Sequence, residues 1–118
     1  MAQVLEMTAT TTNKIGVVIT TTASREDAVR ISKELLADKL IACVQLSKIE
    51  SFYEWKGQVE EEVEYRLMIK HALKTKKALV EKLLVIHPYE TPEIITTEFD
   101  SSLGYYKWCE EVCSPALS

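Results

Sequence analysis

Hydrophobic and polar residues alternate along the chain with two different periods, and the changes of period mark the elements of the fold. Residues 14–22 carry apolar side chains on both faces, which is typical of a strand in the middle of a sheet. Ser24 follows as a helix N-cap, with Asp27 as its partner in a capping-box-like pair. Apolar residues then recur at helical spacing to about Asp38, so this stretch predicts a helix with one apolar stripe.

A period of two returns after this helix and predicts a long hairpin. The apolar side chains change parity between Leu46 and Ile49, which indicates either a bulge in one long strand or a break between two short ones. Lys56 and Gly57 stand where a tight turn needs a residue with positive φ. Residues 59–71 alternate regularly and form the predicted return strand.

The rest of the chain predicts a helix, a loop, a strand and a last helix. The helix over residues 75–86 ends at a loop, residues 87–93, that two prolines hold open. A short strand over residues 94–99 follows, and Ser101 or Ser102 caps the last helix. The inner side of that helix is predicted to carry Tyr105, Trp108, Cys109 and Val112.

The predicted order of elements is β-α-β-β-α-β-α. Two right-handed split β-α-β units on an antiparallel sheet are typical of the α+β class and of a ferredoxin-like sandwich, here with a C-terminal helix and a long β-hairpin. We predict a flexible N-terminal arm over residues 1–13 and a single domain over residues 14–118.

The predicted hairpin is too long for one small domain to cover. A strand from Leu40 to Trp55 spans about 50 Å at roughly 3.3 Å per residue, whereas a compact chain of this length has a radius of gyration of about 13–14 Å. Phe52 and Tyr53 join Trp55 at its tip, and aromatic residues on an unpaired edge favour association. The sequence therefore predicts pairing with another copy of the chain; the alternative is a hairpin bent back on its own sheet.

Composition and charge limit the classes of molecule that this protein is expected to bind. The 118 residues are 47% hydrophobic and 27% charged, with a net charge of −4, which is typical of one globular domain. The basic cluster over residues 74–82 is interpreted as a solvated helix face, so we expect no nucleic-acid partner. No apolar run approaches the roughly 20 residues of a membrane span, so we expect no membrane partner. The absence of an export signal and the three cysteines predict a cytoplasmic location.

Catalytic motifs are absent, whereas several side chains are candidate metal ligands. The chain has no phosphate-binding loop, nucleophile elbow, CxxC or HExxH, so we expect neither an enzyme nor an organic cofactor. Cys43 in a strand is either a core thiol or a ligand, and His87 is a loop imidazole expected near the surface. Cys109 and Cys113, four residues apart on a helix, either clamp a soft ion such as Cu(I) or belong to the core and the chain end.

Four segments resemble the CutA family, the divalent-cation tolerance proteins. They are TTTAS at residues 20–24, LIACV at 40–44, SFYEWKG at 51–57 and HPYETPEI at 87–94. The spacing and order of these segments match the family pattern over about residues 14–112.

This resemblance implies a fold similar to the PII signalling proteins and a cytoplasmic homotrimer built through the long hairpins, with Phe52, Tyr53, Trp55 and Gly57 in the trimer contact. It also implies a role in tolerance to copper and other divalent cations, with Cys43 and His87 as the metal-site residues.

The sequence also allows a second function, from a different class. A PII-like sensor would bind a small ligand in its inter-subunit clefts and signal to a partner protein. The residues expected to line such a cleft combine aromatic walls with a few polar groups. They are Tyr53, Trp55, Glu61, Tyr89 and Glu90.

Overall fold

The computed structural model describes residues 13–116 and confirms the predicted order of elements. The strands are β1 (Lys14–Thr22), β2 (Cys43–Trp55), β3 (Gln58–His71) and β4 (Ile95–Asp100). The helices are α1 (Arg25–Ala37), α2 (Lys76–Ile86), which a short 3-10 turn (Leu73–Thr75) precedes, and α3 (Leu103–Val112). The arm predicted over residues 1–13 lies outside the described residues except for Asn13.

The four strands form one antiparallel sheet in the order β2-β3-β1-β4, which is the ferredoxin-like arrangement of the α+β class. Ser24 caps α1 as predicted, because its hydroxyl accepts a hydrogen bond of 3.1 Å from the backbone N–H of Asp27. Helix α2 ends at His87, which is extended because Pro88 disfavours helical geometry there. No helix within residues 13–116 is long and apolar enough to cross a membrane.

Each face of the sheet has its own core. Helices α1 and α2 cover one face, and α3 packs on the opposite face at one end, since Val18 and Ile15 lie on opposite sides of β1. The core under α1 and α2 is formed by Val18, Ala28, Ile31, Leu35, Leu40, Ile41, Leu67, Ile69, Leu79 and Leu83. The core under α3 is formed by Ile15, Ala42, Ala72, Cys109 and Cys113.

The inner side of α3 differs from the prediction at one position. Cys109 is buried and Tyr105 and Val112 pack against it, whereas Trp108 is exposed. A helix turns about 100° per residue, so a buried stripe centred on Cys109 and Cys113 leaves the preceding Trp108 outside. Its ring lies against Tyr105 with 5.5 Å between ring centroids.

The prediction of a bulge or break in the hairpin is wrong. The pairing of β2 with β3 runs without interruption from Cys43 opposite Lys70 to Trp55 opposite Gln58. The apolar positions change face along β2 without any interruption of the pairing: Leu46 lies on the α1–α2 face and Ile49 on the opposite face. The strand also begins at residue 43 rather than 40.

The turn and the projecting hairpin are confirmed. Lys56 and Gly57 both have positive φ, at 51° and 80°, as a two-residue hairpin turn requires. Residues 49–64, called the hairpin arm below, pair only with each other, because β1 reaches no further along β3 than Tyr65. The radius of gyration of 15.9 Å exceeds that of a compact chain, and the longest dimension is 50 Å. The hairpin is therefore extended and not bent back.

The ring of a buried histidine packs on a glycine of the neighbouring strand. His71 is fully buried, and its Nδ1–H donates to the carbonyl of Ala72 at 2.7 Å. Its ring lies directly over Gly16 on the neighbouring strand, so that a Cβ at that position would overlap the imidazole. The glycine is required here by a close approach and not by its backbone angles.

Candidate functional site

A cavity of about 890 Å³ lies between the hairpin arm, the end of β1 and the loop after α2. Its volume is in the range of small-molecule sites. Five of the lining residues are glutamates and four are aromatic, and no lysine, arginine or histidine is among them. We call it the glutamate cavity, and it is lined by Thr21, Ala23, Ser51, Phe52, Tyr53, Trp55, Glu60, Glu62, Glu64, Pro88, Tyr89, Glu90, Thr91 and Glu93.

The strand geometry of the arm places three of these glutamates in a row. Glu60, Glu62 and Glu64 occupy alternate positions of β3, so their side chains project from the same face. Tyr53 lies directly opposite Glu60 and Ser51 opposite Glu62 on β2. The two-residue turn at the tip fixes this register and thereby brings aromatic and acidic side chains onto one face.

Two tyrosines donate to this row. The Tyr89 hydroxyl donates to Oε2 of Glu64 at 2.9 Å. Burial, followed by the hydrogen bond to Glu64, raises the pKa of Tyr89, and the hydrogen bond to Glu62 raises the pKa of Tyr53 to about 12. Both phenols therefore stay protonated at neutral pH and act as donors to the carboxylates.

His87 fixes the loop that closes one side of the cavity. Its Nδ1 accepts from the backbone N–H of Tyr89 at 3.1 Å, and its Nε2 lies 3.0 Å from the carbonyl of Thr21 and 3.0 Å from Oγ1 of Thr20. Because a carbonyl only accepts, Nε2 carries the proton and the ring is neutral. Burial lowers the pKa of His87, which favours the same form. His87 was expected near the surface; it is 8% exposed because this loop folds it against the end of β1.

Cys43 and His87 do not meet within one chain. Cys43 pairs with Lys70, which in turn pairs with Val17, so its side chain is on the α3 face. His87 contacts Thr20, whose side chain is on the α1–α2 face. The sheet separates the two predicted ligands. Within residues 13–116, no group of three histidine, cysteine, aspartate or glutamate side chains has the arrangement of a metal site.

The two helical thiols are part of the second core. Cys109 and Cys113 are fully buried, and the Cys113 sulfur accepts a hydrogen bond of 3.4 Å from the N–H of Ala72. Burial, followed by the nearby Cys113 and Cys43, raises the pKa of Cys109 to about 11. Burial also raises the pKa of Cys113. Both thiols are protonated at neutral pH, which favours a packing role over a metal clamp.

The predicted cleft residues gather at the glutamate cavity with one exception. Tyr53, Trp55, Tyr89 and Glu90 line it, whereas Glu61 lies opposite Phe52 on the other face of the arm. The cleft predicted from the sequence did not include Glu60, Glu62, Glu64 and Glu93, which also line the cavity. Counting outward from the Lys56–Gly57 turn finds the first three, because it pairs Tyr53 with position 60 rather than 61.

Comparison with known proteins identifies the family. Residues 16–112 match the family described as CutA1 divalent ion tolerance protein. The divalent-cation tolerance protein CutA of Thermotoga maritima is 37% identical over 95 residues, which cover 80% of this chain and 94% of that protein. The crystal structure of the divalent ion tolerance protein CutA1 from Ehrlichia chaffeensis superimposes with a TM-score of 0.81 at 34% identity, covering 85% of this chain and 95% of that one.

A second solved structure agrees with the first. The protein described as periplasmic divalent cation tolerance protein CutA from Archaeoglobus fulgidus also has a TM-score of 0.81, at 30% identity, covering 85% of this chain and 99% of that one. Sequence and fold therefore agree over most of the chain, which belongs to the CutA1 divalent ion tolerance family.

Proposed function

We propose that this protein contributes to divalent-metal tolerance as a cytoplasmic homotrimer that binds copper. The observation that carries the metal-tolerance part is the match of residues 16–112 to the CutA1 divalent ion tolerance family. The glutamate cavity adds five carboxylates that face one space without a basic side chain among the lining residues. Such a concentration of negative charge attracts cations and raises their local concentration.

The hairpin arm supports the homotrimer. Phe52 is 63% exposed in the single chain, and Trp55 and Val63 are about half exposed. A two-stranded hairpin is marginally stable by itself, and exposed aromatic side chains on it favour burial against another surface. Strands β2 and β4 are the sheet edges, so both offer unpaired backbone groups to a neighbouring copy.

Sedimentation velocity at micromolar concentration tests the assembly, and we expect three times the 13.4 kDa chain mass. The melting midpoint is expected to rise with protein concentration, because association stabilises the folded chain by mass action. Trp55→Ala is expected to reduce trimer stability by about 3–5 kcal/mol, the range for truncating a buried tryptophan. A single-chain mass, or an unchanged melting curve for Trp55→Ala, would contradict the proposed arm contact.

Copper binding through Cys43 and His87 needs more than one chain. The two side chains lie on opposite faces of the sheet, so one ion that contacts both must take them from different subunits. His87 must also give up the hydrogen bond from Tyr89 before Nδ1 can bind an ion. Metal binding and trimer formation are therefore linked in this proposal.

Titration of the purified protein with Cu(I) and Cu(II) tests these residues. We expect Cys43→Ser to lose Cu(I) binding, because thiolates are the preferred ligands of that ion. The double variant Cys109→Ser/Cys113→Ser is the control and is expected to bind like the parent, since both thiols are core groups. The reverse result would place the copper site at the C-terminal pair.

A second function is favoured by the same cavity. We propose that the glutamate cavity can also serve as a small-ligand site, with Tyr53, Trp55 and Tyr89 as walls and Glu90 at its rim. Its volume fits a metabolite, and its combination of aromatic surface with a few charged groups is that of a binding site. In the proposed trimer this surface shares Tyr53 and Trp55 with the arm contact, so ligand binding is expected to change the assembly. Titration with a metabolite panel, read by the sedimentation profile, tests this function.

A further inference from the structure

Glu64 is the most buried charge in the glutamate cavity, and no side chain within residues 13–116 forms an ion pair with it. It is 7% exposed, and its Oε2 accepts from Tyr89 at 2.9 Å. Its second oxygen receives no hydrogen bond from residues 13–116, and no ion pair within that part of the chain includes Glu64. The second oxygen keeps contact with solvent in the cavity, where a cation can reach it.

The neighbouring carboxylates continue from Glu64 toward the tip of the arm. Glu62 and Glu60 follow at alternate positions of β3, so successive side chains are about 7 Å apart, twice the rise per strand residue. The described residues hold no group of three side chains arranged around one metal ion, so the row is not preformed as a metal site. The row instead suits a cation whose positive charges are spaced along a chain.

The aromatic walls suit the apolar part of such a cation. Tyr53 and Trp55 line the cavity on the same face of the arm as the carboxylate row. The Lys56 ammonium already lies 5.8 Å from the centroid of the Trp55 ring, so the tip holds one alkylammonium group in cation–π geometry. Methylene groups pack on aromatic faces while the ammonium ends remain free for carboxylates.

We propose that the glutamate cavity binds an organic cation of the linear diamine or polyamine class. One ammonium group pairs with the free oxygen of Glu64, the methylene chain lies along Tyr53 and Trp55, and the next ammonium group pairs with Glu62 or Glu60. The proposal rests on the second proposed function, that of a small-ligand cavity, and names the chemistry of its ligand.

Calorimetric titration of the full chain with 1,4-diaminobutane and spermidine tests this assignment, with 1,4-butanediol as the uncharged analogue. We expect saturable binding of both amines that weakens with added salt, and no binding of the diol. Glu64→Gln is expected to weaken diamine binding at least about tenfold, the loss of one charge-assisted hydrogen bond. Glu62→Gln supplies a second variant in case Glu64→Gln alters the fold, which circular dichroism and sedimentation detect.

Glu61→Gln is the matched control. It removes the same charge from the same strand on the opposite face of the arm, outside the cavity lining. The inference is overturned if Glu61→Gln weakens binding as much as Glu64→Gln, if the diol binds like the diamine, or if millimolar diamine gives no heat. If diamines do not bind but another metabolite binds in a Glu64-dependent way, the cavity is still a small-ligand site and only the polyamine assignment fails. Loss of copper binding in Cys43→Ser tests the metal proposal alone.

Discussion

The two halves of strand β3 share one alternating pattern and have opposite environments. In the half that joins the body of the domain, Leu67 and Ile69 are fully buried. In the half that belongs to the arm, Val59 is 77% exposed and Val63 is 50% exposed, although both continue the same face. The body half has β1 beside it and α1 and α2 against it, whereas the arm half has only β2. Alternation therefore predicts a strand and the identity of its faces, but not what covers them.

The difference has an energetic consequence. Burial of apolar surface contributes roughly 25 cal/mol per Å², and the arm half of β3 does not obtain this contribution within its own chain. Ordering its backbone still costs conformational entropy. An arm that is extended and regular in register therefore gains from a second surface, which is the physical basis for the homotrimer that we propose.

The sharpest test of this comparison truncates one apolar residue in each half. Leu67→Ala is expected to lower the free energy of unfolding by about 2–5 kcal/mol, because it leaves a cavity in the main core. Val63→Ala is expected to change it by less than about 0.5 kcal/mol when the protein is dilute enough to be monomeric. Urea unfolding monitored by circular dichroism measures both.

At higher concentration the Val63→Ala change is expected to grow, because the proposed contact then buries that side chain. Equal losses for the two variants in the dilute protein would show that the arm is packed within its own chain, and the comparison would fail.

The next largest change in stability is expected from substituting a glycine in the body, compared with a glycine at the arm tip. Gly16→Ala is expected to destabilise the protein by about 1–3 kcal/mol, because the new methyl overlaps the fully buried His71 ring. Gly57→Ala at the arm tip has open space around it and meets only the strain of a φ of 80°, about 1 kcal/mol. Thermal unfolding of the two variants ranks them. If Gly16→Ala were neutral, the imidazole would be free to move away from β1.

The smallest expected effect is a pH dependence of the body. Burial lowers the pKa of His71 below its ordinary value of 6.5. Between these two values the unfolded chain binds a proton that the folded chain does not, so stability is fully present above about pH 6.5 and is lost as the pH falls below it. His71 contributes at most about 1.4 kcal/mol per pH unit. Urea midpoints between pH 5.5 and 7.5 measure this slope.

His71→Gln is expected to reduce the slope, and His87, whose pKa burial also lowers, accounts for a remainder of the same sign. An unchanged slope in His71→Gln would show that the buried imidazole does not titrate in this range.

Much of the fold could be predicted because its signals are local. The Ser24 cap, the Pro88 stop and the Lys56–Gly57 turn each act on their nearest neighbours through backbone geometry. The interpretation of the parity change at Leu46 and Ile49 failed for a different reason. It attributed a change of apolar face to an interruption of the strand, whereas the pairing of β2 with β3 is continuous and only the face of the apolar side chains changes.

The site was predicted in part. The aromatic residues of the cavity were found because large apolar side chains at a hairpin tip are conspicuous in sequence. Glu61 was predicted in place of Glu60 and Glu62, because only the register across the turn decides which glutamate faces Tyr53. The burial of Glu64 could not be predicted from the sequence, because its partner Tyr89 is 25 residues away and the two meet only when the loop folds onto the arm.

The sequence by itself determined the order of elements, the ferredoxin-like class, the long hairpin and the family, since periodicity, caps and short motifs act over a few residues. Only the tertiary structure decided that α3 covers the second face, that Cys43 and His87 lie on opposite sides of the sheet, and that five glutamates share one cavity. The physical reason is that these features depend on which faces of distant strands and loops are brought together, and packing of the whole chain fixes that choice.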